Sequence, residues 1–394
     1  MTASPRVAHV TVAPEFVDRI MLHDLRRLRN REDITVVCEE GSSLARVRAE
    51  GFRVLTVKAN RKISPLADLQ TVWSLLRLFR REQFDLVHTY APKAGLVGQL
   101  AAALAGVPHR VHGCRGLLYS RTTPNWQRLL LRATDRLTSR LAHLTLYLST
   151  ADLAFATGTR LCHPSRARHI GSGIDLEQFS PSAAARQEAV RWRREMGVEP
   201  DQILILSVGR YVADKGYSEI AKAAAALRAR FPGARYVWVA PVFVGESEVL
   251  PADLPESVGA GGLVQLTGYI ENIAPILLAA DVLVHASHRE GVPRVLMEAA
   301  AMGVPIVASD IPGCREVVRD KETALLFRAH DTRDLTAVLE QALSDPIALQ
   351  ERAERAAADV RARFSQEALS ERVWSVHRAL LKPASATIPA GAHG

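Results

Sequence analysis

The chain has 394 residues, 48% of them hydrophobic and 23% charged; this is globular composition, enough for two to three domains of roughly 100–200 residues each, and it excludes a disordered chain. No apolar run approaches the roughly 20 residues a membrane-spanning helix needs, and the first residues lack the pattern of a secretory signal, so neither is expected. The net charge of +8 is uneven, with 26 Lys+Arg against 15 Asp+Glu in residues 1–180 and 24 against 27 in residues 181–394, so the first half is expected to meet an anionic partner.

Short apolar β-rich runs alternate with longer helical patterns. The first half predicts strands at Val7–Val12, Ile34–Cys38, Val54–Val57, Leu86–Thr89, Arg110–His112 and Leu144–Leu148, and helices at Leu66–Arg81 and Gly95–Ala105. Arg128, Arg132, Arg136 and Arg140 recur every four residues among Leu129, Leu130, Leu131, Leu137 and Leu141. Such a stripe stays on roughly one face of a helix. It is either a membrane-surface helix drawn to anionic lipid or a surface helix whose leucines pack on the sheet. The small, Pro-containing segment 179–187 predicts a linker. It separates residues 1–180, completed by a C-terminal helix over 366–382, from residues 181–365. The second half predicts strands at Ile203–Val208, Tyr236–Val239, Val264–Leu266, Val282–Val284, Ile306–Ala308 and Ala324–Phe327, and helices at Gly216–Arg230, Val295–Met302 and Asp334–Leu343. Residues 383–394 predict a disordered tail. Alternating β and α with continuously apolar strands means parallel sheets covered on both faces. The expected fold is α/β, two doubly wound, Rossmann-like domains facing across a cleft, with ligands at the carboxyl ends of the strands.

Two runs carry chemistry. In the first, a strand ends near Ala286 and Glu290-Gly291-Val292-Pro293-Arg294 leads into a helix that holds Glu298, before Gly303-Val304-Pro305 opens the next strand. The backbone N–H groups of Gly291, Val292 and Arg294 stand near a helix start, where phosphate is favoured. Two carboxylates beside an anion site make sense when they accept hydrogen bonds from hydroxyls, as a sugar and a ribose flanking a diphosphate would supply. In the second run, Gly209-Arg210-Tyr211-Val212-Ala213-Asp214-Lys215-Gly216 places two cations after a strand. Arginine offers a planar fork and lysine a point charge, which together can neutralise a diphosphate.

Residues 203–331 resemble the nucleotide-binding domain of the family 4 glycosyltransferases, a retaining family with the GT-B fold. The resemblance rests on Gly-Arg-x4-Lys-Gly at 209–216, Leu266-Thr267-Gly268, and Glu290-x7-Glu298 with Gly303-Val304-Pro305. Glu290-Gly291-Val292-Pro293-Arg294 and Pro312-Gly313-Cys314-Arg315-Glu316 are similar to members that build bacterial surface polysaccharides. Ile63-Ser64-Pro65-Leu66-Ala67-Asp68-Leu69 and Val87-His88-Thr89-Tyr90-Ala91-Pro92-Lys93-Ala94-Gly95 extend that similarity to the first half. The resemblance implies that Arg210 and Lys215 hold the donor diphosphate, that Glu290 faces the transferred sugar, that Glu298 takes the ribose hydroxyls, and that Tyr269 and Ile270 border the base. Two departures stand out. His112-Gly113-Cys114-Arg115-Gly116 matches the family's sugar-contacting His-Gly only at the pair, so His112 is either a core residue or a cleft residue, and the Gly-Gly turn after the first strand is replaced by Val12-Ala13-Pro14-Glu15.

The expected function is therefore retaining transfer of a sugar from a nucleotide-diphosphate sugar, UDP-sugar foremost, to a hydroxyl of a lipid-linked saccharide in cell-surface polysaccharide synthesis. A soluble secondary-metabolite acceptor and a sugar-nucleotide epimerase of similar architecture are the alternatives. By elimination the acceptor falls to the basic first half, where Lys93 combines a cation with a helix start, and His112 and Arg115 stand after the fifth strand. With no Asp-x-Asp pair, no metal and no cofactor beyond the donor is expected. No zinc finger or RNP-type motif is present, so nucleic acid is not an expected partner. The scattered Cys38, Cys114, Cys162 and Cys314 predict free thiols in a reducing cytoplasm, and the chain is expected to be cytoplasmic, peripheral at the inner face of the plasma membrane.

Overall fold

The computed structural model describes residues 4–59, 64–117, 124–242 and 248–381. Ile63 and the tail predicted to be disordered, 383–394, lie outside the described residues. The chain forms two compact units, Met1–Ser172 with Gln366–Gly394, and Gly173–Ser365.

The first unit is a seven-stranded sheet in the order β3-β2-β1-β4-β5-β6-β7. Its strands are β1 (Arg6–Val10), β2 (Asp33–Cys38), β3 (Arg53–Thr56), β4 (Leu86–Tyr90), β5 (His109–Cys114), β6 (Leu144–Tyr147) and β7 (Ala167–His169). The second unit is a six-stranded sheet in the order β10-β9-β8-β11-β12-β13. It comprises β8 (Ile203–Val208), β9 (Ala234–Val239), β10 (Val264–Thr267), β11 (Val282–His285), β12 (Ile306–Ser309) and β13 (Leu325–Phe327). Among the described residues every pairing between these strands is parallel. Strand order reverses between β1 and β4 in one sheet and between β8 and β11 in the other, the places where doubly wound sheets bind ligands.

The apolar strands follow from burial on both faces. In the second unit Leu204, Leu206, Val237, Val239 and Leu283 pack into one core. Their alternating neighbours Ile205, Tyr236, Trp238, Val282 and Val284 pack into the other. The division falls at Ser172/Gly173, not at 180/181. Phe179 is buried in the second unit's core, and Ser182 caps a helix, Ala183–Glu195, by accepting from the N–H of Ala185 at 3.2 Å. The residues that read as a linker are a helix start.

The C-terminal helix Gln366–Leu381 groups with the first unit. Gln366 and Ser370 donate to Asp24 at 2.6 and 2.7 Å, and Arg372 donates to the carbonyl of Ile170 at 2.7 Å. Deeper, His377 Nδ1 meets Glu32 Oε1 at 2.7 Å and His377 Nε2 meets His88 Nδ1 at 3.1 Å. Tyr90 Oη joins His88 at 3.1 Å and His9 at 2.9 Å. Burial alone would raise the pKa of Glu32; the bonds from His377 and His9 hold it down at about 2.

Candidate donor and acceptor sites

The pair at the centre of the second unit comes from the two strands of its switch point. β8 ends at Val208, and the chain turns through Gly209 and Arg210 to Lys215. Gly216 has φ +70, and a Cβ there would lie 2.2 Å from the carbonyl oxygen of Ala286. Only glycine permits both the left-handed conformation and that approach. The start of the helix Tyr217–Leu227 is thereby pressed onto the end of β11, and Lys215 reaches Glu290.

Lys215 Nζ and Glu290 Oε1 form a direct ion pair, each side chain 17% exposed. Ser287 Oγ donates to the same oxygen at 2.8 Å, and His285 Nε2 lies 3.2 Å from it. Burial pushes the Glu290 carboxyl up, but His285 and Lys215 outweigh it and hold the carboxyl well below the usual carboxylate range. Ser309 Oγ donates to the carbonyl of Ser287 at 2.6 Å, lies 3.1 Å from that of His285, and fixes the end of β11. Gly313 completes the loop: a Cβ there would lie 2.5 Å from the carbonyl oxygen of Glu290 and 2.7 Å from that of Gly291.

After Gly291 and Val292, Pro293 takes the N-cap of the helix Arg294–Ala301. Proline has no side-chain oxygen to cap the first-turn N–H groups; that of Leu296 donates to the carbonyl of Pro293 at 3.2 Å. Glu298 lies one turn in and is 3.3 Å from Arg294 Nε. Burial raises its pKa against the opposing pull of Arg294, whose Nη1 also donates to the carbonyl of Gly173 at 3.2 Å. Arg210 is exposed at the end of β8. Tyr269 is half exposed, and Ile270 packs on the core, both following β10. Lys215 and Glu290 are thus in contact, and so are Arg294 and Glu298. Arg210, Tyr269 and Ile270 stand on loops at the carboxyl ends of their strands.

In the first unit the three predicted acceptor residues have separate surroundings. Lys93, at the start of the helix Pro92–Ala105, is ion-paired to Asp68 at 2.7 Å. Before it, Ala91 has φ 67 and ψ 161, a conformation ordinarily taken by glycine. His112 is buried, its Nδ1 3.1 Å from Thr89 Oγ1, and burial pushes its pKa down to about 4. It lies so close beneath the helix that a Cβ on Gly95 would meet its Cε1 at 2.5 Å. Arg115 lies over the ring of Phe16 at 4.9 Å and lines a small cavity with His88, Tyr90 and Asp24.

The helix Asn125–Leu141 is inverted. Thr138 and Ser139 face inward and are buried, while Trp126, Leu129, Leu130 and Leu137 are exposed, Leu129 to 71%. Of the two alternatives, the one in which its leucines pack on the sheet fails for these three. Arg136 and Arg140 line a cavity of about 730 Å³ with Arg160, Arg166 and His163. Leu66, Leu69 and Trp73, on the helix Pro65–Glu82, are likewise exposed, and the helix Pro92–Ala105 packs between the two. Among the described residues no helix is long and apolar enough to cross a membrane. All four cysteines are free and buried.

Residues 189–360 match the family described as glycosyl transferases group 1, and residues 17–173 match the glycosyl transferase 4-like domain. The chain is a family 4 glycosyltransferase of the GT-B fold. It is 26% identical over 351 residues to the Escherichia coli UDP-Gal:alpha-D-GlcNAc-diphosphoundecaprenol alpha-1,3-galactosyltransferase, covering 87% of this chain and 89% of that one. It is 22% identical to the N,N'-diacetylbacillosaminyl-diphospho-undecaprenol alpha-1,3-N-acetylgalactosaminyltransferase of Campylobacter jejuni, covering 96% of this chain and 99% of that one. The crystal structure of Anabaena Alr3699/HepE in complex with UDP-glucose superposes with a TM-score of 0.81 at 19% identity, covering 95% of this chain and 99% of that one.

His285, Ser287 and Ser309, which build the surroundings of Glu290, were not among the residues that sequence reasoning singled out. The signal open to it is small: His285 and Ser287 flank Ala286 where the strand ends.

Proposed function

We propose that this glycosyltransferase takes its sugar from a UDP-sugar in the second unit and transfers it, with retention, to a saccharide linked through a diphosphate to a polyprenyl lipid. The observation that carries the donor half is the Lys215–Glu290 pair at the switch point, beside a helix start whose N-cap, Pro293, offers no side-chain cap. Lysine has three N–H donors, so Lys215 can keep Glu290 and still bond a diphosphate oxygen. Arg210 supplies a second cation at the same strand end. Glu298 accepts from the ribose hydroxyls, Tyr269 and Ile270 border the base, and Glu290 accepts from hydroxyls of the transferred sugar.

The chemistry follows from those placements. As the bond from the anomeric carbon to the diphosphate oxygen breaks, negative charge grows on the phosphate, and Lys215, Arg210 and the 291–294 backbone are preset to meet it. The acceptor oxygen attacks the same face of the anomeric carbon and forms the new bond. Its proton passes to the departing phosphate oxygen. The low pKa of Glu290 and the donors around its Oε1 suit an electrostatic role, not that of a nucleophile.

The Escherichia coli relative is named for UDP-Gal and a diphosphoundecaprenol acceptor, the Campylobacter jejuni relative for a diphospho-undecaprenol acceptor, and the Anabaena structure holds UDP-glucose, which supports this choice of donor and acceptor. The exposed apolar stripes on the helices Pro65–Glu82 and Asn125–Leu141, with arginines beside them, support a membrane surface as the place where such an acceptor is met. Lys93, His112 and Arg115 remain the proposed acceptor residues, with Lys93 exchanging Asp68 for an acceptor phosphate and the buried His112 acting through the seat of the Pro92–Ala105 helix. The test is transfer from UDP-sugars to a polyprenyl-diphosphate saccharide, with the product's anomeric configuration read by NMR. Retained configuration with a lipid-linked acceptor is expected. Equal rates on a soluble aglycone would overturn the acceptor half, and isomerisation of donor alone would overturn transfer.

A further inference from the structure

Close to the Lys215–Glu290 pair, and not part of it, three side chains of metal-ligating type converge. Glu219 lies in the first turn of the helix Tyr217–Leu227, His288 in the loop between β11 and Glu290, and His330 on the turn after β13. His288 Nε2 is 2.8 Å from Glu219 Oε1. The rings of His288 and His330 lie 3.8 Å apart, tilted by 35°. One ligand atom from each of the three residues falls within 4.8 Å of the others.

We propose that Glu219, His288 and His330 form a binding site for a divalent transition metal, Zn²⁺ foremost. Two imidazole nitrogens and one carboxylate oxygen suit zinc, cobalt and nickel and do not suit magnesium or calcium, which prefer all-oxygen sites. At metal–ligand distances of about 2.0–2.1 Å, tetrahedral ligand atoms stand roughly 3.4 Å apart, so the observed spacing needs a modest closing of two partly buried side chains and the exposed His330.

Backbone conformation points the same way. His330 is a non-glycine residue with φ +64 and an exposed side chain. Its ring rests on that of His288, and glycine would take that backbone conformation without cost. A bound ion gives the ring a reason to be held over His288.

The position also defines what the ion would do. Glu219 is four residues beyond Lys215, across the turn at Gly216, and His288 is two residues before Glu290. The His288 N–H already donates to the carbonyl of Asp214 at 2.8 Å, and Arg289 reaches the Asp214 carboxylate at 2.7 Å. The metal would staple the segment that carries Lys215 to the loop that carries Glu290, with His330 tying in the turn after β13. It stabilises the second unit and takes no part in the bond changes of sugar transfer.

The experiment uses the full, untagged chain, stripped with a chelator and titrated with Zn²⁺ by calorimetry, with Co²⁺ as a spectroscopic probe. The variants are His330→Gly, which removes one ligand and relaxes the backbone, and Glu219→Gln. One ion per chain is expected, with a visible Co²⁺ spectrum and a Zn²⁺-dependent rise in Tm. Each variant should weaken binding by at least about tenfold, since even residues that only support metal ligands matter by 10–100-fold, and should lose the rise in Tm. UDP binding by metal-free His330→Gly should equal that of the wild type, which separates this site from the donor site. No binding by the wild type, or equal affinity in wild type and both variants, overturns the proposal.

Discussion

Replacing Lys215 by alanine tests the pair that organises the second unit. The substitution leaves Glu290 as an anion that is 17% exposed, with Ser287 and His285 as its remaining partners. Breaking a fully buried pair costs about 3–5 kcal/mol. Partial exposure and the two surviving donors reduce this to about 2 kcal/mol, which lowers Tm by about 4–8 °C in a unit of this size. Glu290→Gln removes the charge that is stranded, so the double variant should be about 1 kcal/mol more stable than Lys215→Ala alone. Urea unfolding of the four proteins measures this coupling. In transfer, each single variant should lose roughly 10²–10³ in kcat, the cost of deleting one preset electrostatic donor. The double should fall little further, because residues that act as a unit are not additive. Strictly additive stabilities, or a Lys215→Ala enzyme with normal stability and kcat/KM, would refute the pairing.

Three further outcomes are expected. Ala91→Gly should stabilise the first unit by about 1 kcal/mol, relief of the φ 67, ψ 161 backbone outweighing the entropy of the added glycine; a loss of stability in thermal unfolding would contradict this. The unfolded chain takes up a proton on His112 near pH 6.5 and the folded chain only near about 4, so between those values the unfolded state binds more protons and stability falls as pH falls, by about 3 kcal/mol in all. Buried His88 acts in the same direction, and His112→Asn should flatten the slope in urea titrations run from pH 7 to pH 4; an unchanged slope would rule His112 out. Neutralising Arg128, Arg132 and Arg136 together, or replacing exposed Trp126 by Ser, should reduce sedimentation with anionic liposomes, and salt should weaken the wild type's binding. A wild type that ignores such liposomes at low salt would remove the membrane from the account.

Most of the architecture was legible because the strands are uninterrupted apolar runs closed by turn residues. Ile203–Val208, stopped by Gly209, is the plainest case. β7 escaped notice because it is a three-residue edge strand containing Arg168 and His169, with no apolar run to mark it. Segment 179–187 misled because serine, proline and alanine suit both a linker and a helix start; burial of Phe179 decides between them, and burial is a tertiary property. Periodicity placed the arginines and leucines of 128–141 on a helix but could not say which face is wet, and here the apolar stripe faces outward. Glu290, Lys215 and Glu298 stand out in the sequence through the motifs that hold them. That Lys215 closes on Glu290 across 75 residues, and that His285 and Ser287 converge on the same oxygen, depends on which strands are neighbours.

The central claim is that the second unit holds a nucleotide-diphosphate sugar between the Lys215–Glu290 pair and Glu298. Calorimetric titration of UDP and of UDP-, GDP- and ADP-sugars into wild type, Glu298→Ala and Lys215→Ala tests it most directly. The account predicts that UDP and a UDP-sugar bind the wild type best, that Glu298→Ala weakens UDP itself by about 10–100-fold through loss of charge-assisted hydrogen bonds of about 1.5–3 kcal/mol to the ribose, and that Lys215→Ala weakens every diphosphate. Equal UDP affinity in all three proteins would contradict it.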